Sequence, residues 1–202
     1  DNAKWQFYTN GASTNHWMFG NDAYSTDDTA LYISSDSVNN VYQVGVASQS
    51  WASRTVEVKE AGVYDVAFRT RFNATAANSA HKYKVLFMPS NFVPSNGSLV
   101  NPYVIGTGST AVVLKKSNPL VVLEESFTSN GEWVDYVGKV IVDEPGYYNF
   151  SACFVTTTQK ATPKYAPAID SLRISAATCY APYNIEIAEL LDTIVTLKWD
   201  DN

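Results

Sequence analysis

Cysteine and histidine are almost missing from this chain of 202 residues, which has two of each. Two cysteines, Cys153 and Cys179, exclude a disulfide-stapled miniprotein and a thiolate metal cluster. Cys153 falls in a strand and Cys179 in a linker-like stretch, so two free thiols are expected rather than a bridge. The two histidines, His16 and His81, stand far apart and outside any nucleophile-elbow or zinc motif, which leaves little for histidine-based catalysis. Charge is sparse as well. Charged residues make up 17% of the chain, with 14 Lys and Arg against 20 Asp and Glu, a net charge of -6 and a pI near 4.8. Without clustered basic residues to neutralise phosphates, nucleic acid is excluded as a partner. No apolar run approaches the about 20 residues of a membrane span, so membrane insertion is not expected. The chain opens without a charged segment followed by an apolar one, so any secretory leader is expected to have been removed. Neither a sustained helical period nor an internal repeat is visible.

What is present is a strand-forming composition. Hydrophobic residues reach 46% and aromatic ones 13%, with 13 Tyr, 9 Phe and 5 Trp. Together with abundant Val, Ser and Thr this favours β-structure and supplies a sizeable core. Short strands are predicted at Trp5 to Thr9, His16 to Gly20, Ala30 to Ser34, Val41 to Val46 and Trp51 to Lys59. In the last of these, Val56 and Val58 read as inward, and Arg54, Glu57 and Lys59 as mostly outward. Tyr64, Val66, Phe68, Thr70 and Phe72 line one face of the clearest strand, with Asp65, Arg69 and Arg71 on the other. That is the alternation of an antiparallel sheet with one solvated face. Lys82 to Met88, Val112 to Leu114, Leu120 to Phe127, Glu132 to Val142 and Tyr148 to Phe154 follow, broken by loops rich in Pro, Ser and Asn. More than ten short strands without crossover helices predict an all-β antiparallel sandwich of jelly-roll type.

The stretch Ala166-Pro-Ala-Ile-Asp-Ser-Leu-Arg-Ile174 closes the main body. A two-residue period puts Asp170 on the same side as Leu172 and Ile174, toward apolar surface. A carboxylate so placed needs a partner. A bound cation, a cluster of backbone N–H groups, or an Arg or Lys would each serve; a strand beginning after Asp170 would instead make it a turn cap. Composition shifts at Ala176 to Pro182. A domain is therefore expected over residues 1–176, and a linker with two strands, Asn184 to Ala188 and Thr193 to Trp199, over 177–202. Two strands cannot form a domain alone.

Trp5-Gln-Phe, Asn10-Gly11, Asn15-His-Trp17 and Ala30-Leu-Tyr-Ile-Ser-Ser-Asp36 stand in order at the start. Ala61-Gly-Val-Tyr-Asp-Val-Ala-Phe68, Tyr83 to Ser90, Glu144-Pro-Gly-Tyr-Tyr-Asn-Phe150 and the closing stretch follow. This series resembles the cleaved-adhesin or choice-of-anchor (MAM-like) jelly-roll modules of bacterial surface proteins, over residues 4 to 175. Cys179-Tyr-Ala-Pro182 with Val195-Thr-Leu-Lys-Trp-Asp200 looks like the start of a fibronectin type III module. The resemblance implies a non-catalytic module of a secreted or cell-surface protein that adheres to a host or matrix glycan or protein. It also implies structural calcium, carried over to Asp170 with Asp36 as second position. Calcium takes six to eight oxygens, and Asp22, Asp27, Asp28 and Asp36 sit in polar loops that could contribute them beside Asp170.

For ligand contact, Trp51, Trp133 and Tyr147 are the candidates, since each has the opposite parity to the inward residues of its strand. An exposed aromatic ring offers a flat apolar face to a sugar or a protein, while a tryptophan tucked beneath a loop is the other reading of the same parity. Trp17, among apolar neighbours, reads as core. Glu132 and Asp135 lie on different parities and would not converge as the acid pair of a glycosidase. An adhesion module and a carbohydrate-binding accessory module are therefore the two functions to separate.

Overall fold

A computed structural model describes residues 4–25, 29–73, 81–90, 104–105, 112–113, 121–125, 131–160, 165–177, 183–191 and 194–200. Its strands in chain order are β1 (Trp5–Gly11), β2 (His16–Gly20), β3 (Ala30–Ser34), β4 (Ser48–Val58), β5 (Gly62–Asn73), β6 (Lys82–Pro89) and β7 (Val104–Ile105). They continue with β8 (Val112–Val113), β9 (Val121–Glu125), β10 (Val134–Val142), β11 (Gly146–Thr156), β12 (Tyr165–Ala176), β13 (Tyr183–Leu191) and β14 (Ile194–Asp200). Two five-stranded antiparallel sheets, ordered β1-β4-β11-β6-β9 and β10-β5-β12-β3-β2, form the two layers of a β-sandwich. Among the described residues there is no α-helix, and no helix long and apolar enough to cross a membrane. The all-β sandwich expected from strand alternation is therefore the fold.

Alternation decides what lies between the layers. Val66, Phe68 and Phe72 of β5 meet Tyr83, Val85 and Phe87 of β6 and Phe150, Ala152 and Phe154 of β11 in one buried cluster. The rings pack edge to face: Phe150 lies 6.0 Å from Phe68, and Phe72 lies 5.6 Å from Phe154. Such pairs add about 1 kcal/mol each beyond the area they bury. Trp17 belongs to the same core, and its Nε1–H donates to the Ser50 carbonyl at 2.9 Å, tying β2 to β4 across the layers.

Val41 to Val46 is not a strand. Its backbone is held instead by a buried side chain: Asn15 Nδ2 donates to the Gln43 carbonyl at 3.1 Å, and the Gln43 N–H donates to Asn15 Oδ1 at 2.6 Å. A primary amide copies the donor–acceptor pair of a neighbouring strand, so the segment needs no ladder. Tyr42 from this crossing enters the core against Phe154 and the fully buried His81.

Burial holds the His81 pKa below its ordinary 6.5, with the carbonyls of Thr157 and Gln159 opposing. The unfolded chain then binds a proton near pH 6.5 that the folded chain refuses, so unfolding gains as pH falls. Stability is expected to be full above pH 6.5 and to decline from there toward pH 5. Thermal melts across that window, run beside His81→Gln, should show a flatter pH dependence in the variant; identical slopes would refute the assignment.

The free thiol of Cys153 is buried, while Cys179 and the linker around it lie outside the described residues. β13 and β14 pair as an antiparallel hairpin, Leu191 opposite Ile194, where two strands were expected.

Candidate functional site

Closing strand β12 does not keep a single period. Ile169 is buried in the core, and Leu172 and Ile174 pack against the same cluster, so the inward positions step by three between 169 and 172. The pairing with β5 shifts register between Asp170 and Arg173, and Ser171 takes a φ of 55°, in the left-handed region. A β-bulge of this kind re-aims side chains and bends the strand. It also takes Asp170 out of the row that contains Leu172.

The Asp170 carboxylate is buried and turned to backbone and hydroxyl donors. Oδ2 accepts from Ser25 N–H at 2.9 Å and from Ser25 Oγ–H at 2.7 Å, while Oδ1 accepts from Ser171 N–H at 2.7 Å. Of the partners considered from the sequence, the donor cluster is the one on view, and it anchors the loop before β3 to the bulge.

Asp36 is exposed and occupied by its own turn. It accepts from Val38 N–H at 2.9 Å, Asn39 N–H at 2.8 Å and Asn39 Nδ2 at 2.7 Å. The Asn39 amide, then the N–H groups of Asn39 and Val38, hold its carboxyl well below the usual carboxylate range.

Pairing of Ile169 with Leu31 places Asp170 beside the start of β3, whereas Asp36 follows its end. At about 3.3 Å per residue the two carboxylates stand well over 10 Å apart. Among the described residues no three His, Cys, Asp or Glu gather as a metal site. Asp27 and Asp28 lie outside the described residues. The Asp170 and Asp36 carboxylates accept from hydrogen-bond donors among the described residues.

Of the aromatic candidates, only Tyr147 is open to solvent, at 60% exposure. Trp51 does not present a platform. It is 1% exposed and packs with Leu86, Met88 and Cys153 on the face of its sheet away from the main core. Parity placed it off the core correctly, but that face carries an apolar cluster of its own. Trp133 is half-buried against Ala23, Tyr32 and Ala168, and the Arg71 guanidinium lies 5.4 Å from its ring and 4.5 Å from Tyr165. An arginine stacked between two rings spends its cation–π capacity within the protein.

The residue missed from the sequence is Arg54. It shares the inward row of β4 with Ala52, Val56 and Val58, not the outward one. Arg54 lines two half-open crevices between the sheets, each of about 240 Å³. The first is walled by Trp5, Phe19, Leu31 and Leu172, with Asp170 at the bulge. The second is walled by Val56, Tyr64, Leu172 and Ile174, with Glu57. Trp5 is held in place edge-on by Phe19 and Phe150, both at 5.9 Å. The Nε of Arg54 is buried and has no hydrogen-bond partner among the described residues. A buried donor in that state costs about 1–3 kcal/mol, more when charged. The signal was legible: positions 52, 54, 56 and 58 share one face.

Among the described residues there is one serine–histidine contact. Ser37 Oγ lies 3.3 Å from His16 Nε2, and His16 Nδ1 lies 2.8 Å from the Thr14 carbonyl. The adjoining N–H groups of Val38 and Asn39 are already given to Asp36, so those two are not available to a developing oxyanion. Asp135 is engaged with Arg69 at 3.0 Å on the exposed surface.

No protein-family model matches the chain, and no curated protein does. Among solved structures it is similar to the enzymatically active domain of tailspike protein 4 from Bacteriophage CBA120, at 12% identity and a TM-score of 0.48. That match covers 86% of this chain and 19% of the other. A carbohydrate-binding module, TmCBM61 in complex with β-1,4-galactotriose, is 15% identical with a TM-score of 0.46, covering 85% of this chain and 88% of that one. The K1 cleaved adhesin domain of Lys-gingipain from Porphyromonas gingivalis W83 is 14% identical with a TM-score of 0.46, covering 87% and 92%. Matches this distant say what the chain is similar to and bear on neither ligand nor chemistry.

Proposed function

We propose that this chain is a non-catalytic recognition module of a secreted or surface-displayed protein, and that its ligand is a glycan. The observation that supports this reading is the slot at Arg54, where Trp5 and Phe19 stand beside Leu31, Leu172 and a half-buried guanidinium. Sugars present an apolar ring face and a hydroxyl-rich edge, which suits a wall and donor arranged in this way. A glycan microarray probed with the full chain tests the proposal, with reproducible binding to a defined glycan group as the expected result. A silent array, with no sugar binding by calorimetry, would overturn it.

Adhesion to a protein partner is the second reading. Val137 and Ile141, 61% and 38% exposed in one outward row of β10, favour it. The terminal hairpin is read as the start of a fibronectin type III module, as its resemblance implies.

A further inference from the structure

We infer that the slot is bipartite and takes a neutral disaccharide unit, with Arg54 bridging its two sugar positions; this rests on the glycan-recognition reading above. The two crevices share Arg54 and Leu172 among their lining residues, so they are neighbouring compartments on either side of that pair. Each is below the roughly 300–1,000 Å³ of pockets that take drug-sized ligands, and so suits a ligand of monosaccharide size. An arginine carries five N–H donors in a rigid fork, enough to serve oxygens on both sides of a linkage.

Charge selects the ligand further. One cation, Arg54, serves both compartments, and each also has one carboxylate residue in its lining, Asp170 in the first and Glu57 in the second. Two carboxylates against one shared cation disfavour an anionic ligand, since a uronate or sulfated sugar would add an anion beside Asp170 or Glu57, and so favour a neutral one. The slot itself is shaped by the bulge at Asp170–Arg173, where a non-glycine residue holds a left-handed φ beside the opening. Such strained positions cluster at ligand sites.

The test is calorimetric titration of the full chain with glucose, galactose, cellobiose, lactose and maltose. At least one disaccharide should bind tenfold or more tighter than either monosaccharide. Arg54→Gln should cost that disaccharide about tenfold, the scale of one lost charge-assisted hydrogen bond. Arg54→Lys, which retains the charge and serves if the glutamine variant unfolds, should lose affinity too, because a single ammonium cannot bridge both positions. Equal affinity for one sugar and two, or full affinity in folded Arg54→Gln, overturns the bipartite slot. Binding that survives Arg54→Gln but is lost in Tyr147→Ala also overturns it, moving the ligand to the outer face while glycan recognition stands. Absence of all sugar binding removes both proposals together.

Discussion

Phe150→Ala is expected to lower the unfolding free energy by about 3–5 kcal/mol, the cost of truncating a fully buried phenylalanine. Phe150 is 0% exposed and sits midway along β11, opposite Arg54 in β4 and Phe87 in β6. It touches Phe68 edge-on from the opposing sheet and Trp5 from its own. The loss therefore has two parts. A cavity opens between the layers, and Trp5 is left without one of the two rings that fix it. Urea unfolding should show a lower midpoint at an unchanged slope, since the surface exposed on unfolding scarcely changes. A loss below about 1 kcal/mol would mean that the layers collapse into the space, contrary to the close packing described. Sugar binding should weaken in the same variant, because the wall of the slot loosens with its support.

Asp170→Ala is expected to cost about 3 kcal/mol, because it strips a buried carboxylate from several donors at once. Ser25 and Ser171 would keep N–H groups facing a void. The comparison that gives this meaning is with a chelator. If the carboxylate works as a clamp, melting with EDTA should match melting with added calcium, while Asp170→Ala melts several degrees lower in both. A melting temperature that rises with calcium in the parent protein and not in the variant would restore the ion and displace the clamp. Asp170→Asn should recover part of the loss, since a neutral carbonyl oxygen still accepts from Ser25.

The layers were legible in the sequence because their alternation is long and regular. Tyr64 to Phe72 and Tyr148 to Phe154 each hold one period, and both became central strands. What failed to show were the places where period and burial part company. Val41 to Val46 has strand composition, but Asn15, distant in sequence, satisfies its backbone, and no local pattern announces that. Asp170 read as facing the core because alternation was carried across a bulge; register shifts leave no mark when Ser, not Gly, takes the left-handed position. Outward parity left Trp51 open between an exposed platform and a covered ring, and burial decides for cover, because Leu86, Met88 and Cys153 make a second apolar layer there. Arg54 is the opposite error. Its parity pointed inward and its chemistry suggested water, and chemistry was given the greater weight. A charged residue on a buried face is the kind of local contradiction that marks a binding position.

The Cys153 thiol is pinned beneath that second layer, and burial pushes its ionisation far above the usual range for cysteine. Reactivity belongs to the thiolate, so this sulfur is neither ionised nor within reach while the sheets are closed. A protein meeting air and peroxide can carry such a residue without forming mixed disulfides or mispaired dimers. The same shielding turns Cys153 into a built-in gauge, whose alkylation tracks how often the sandwich opens.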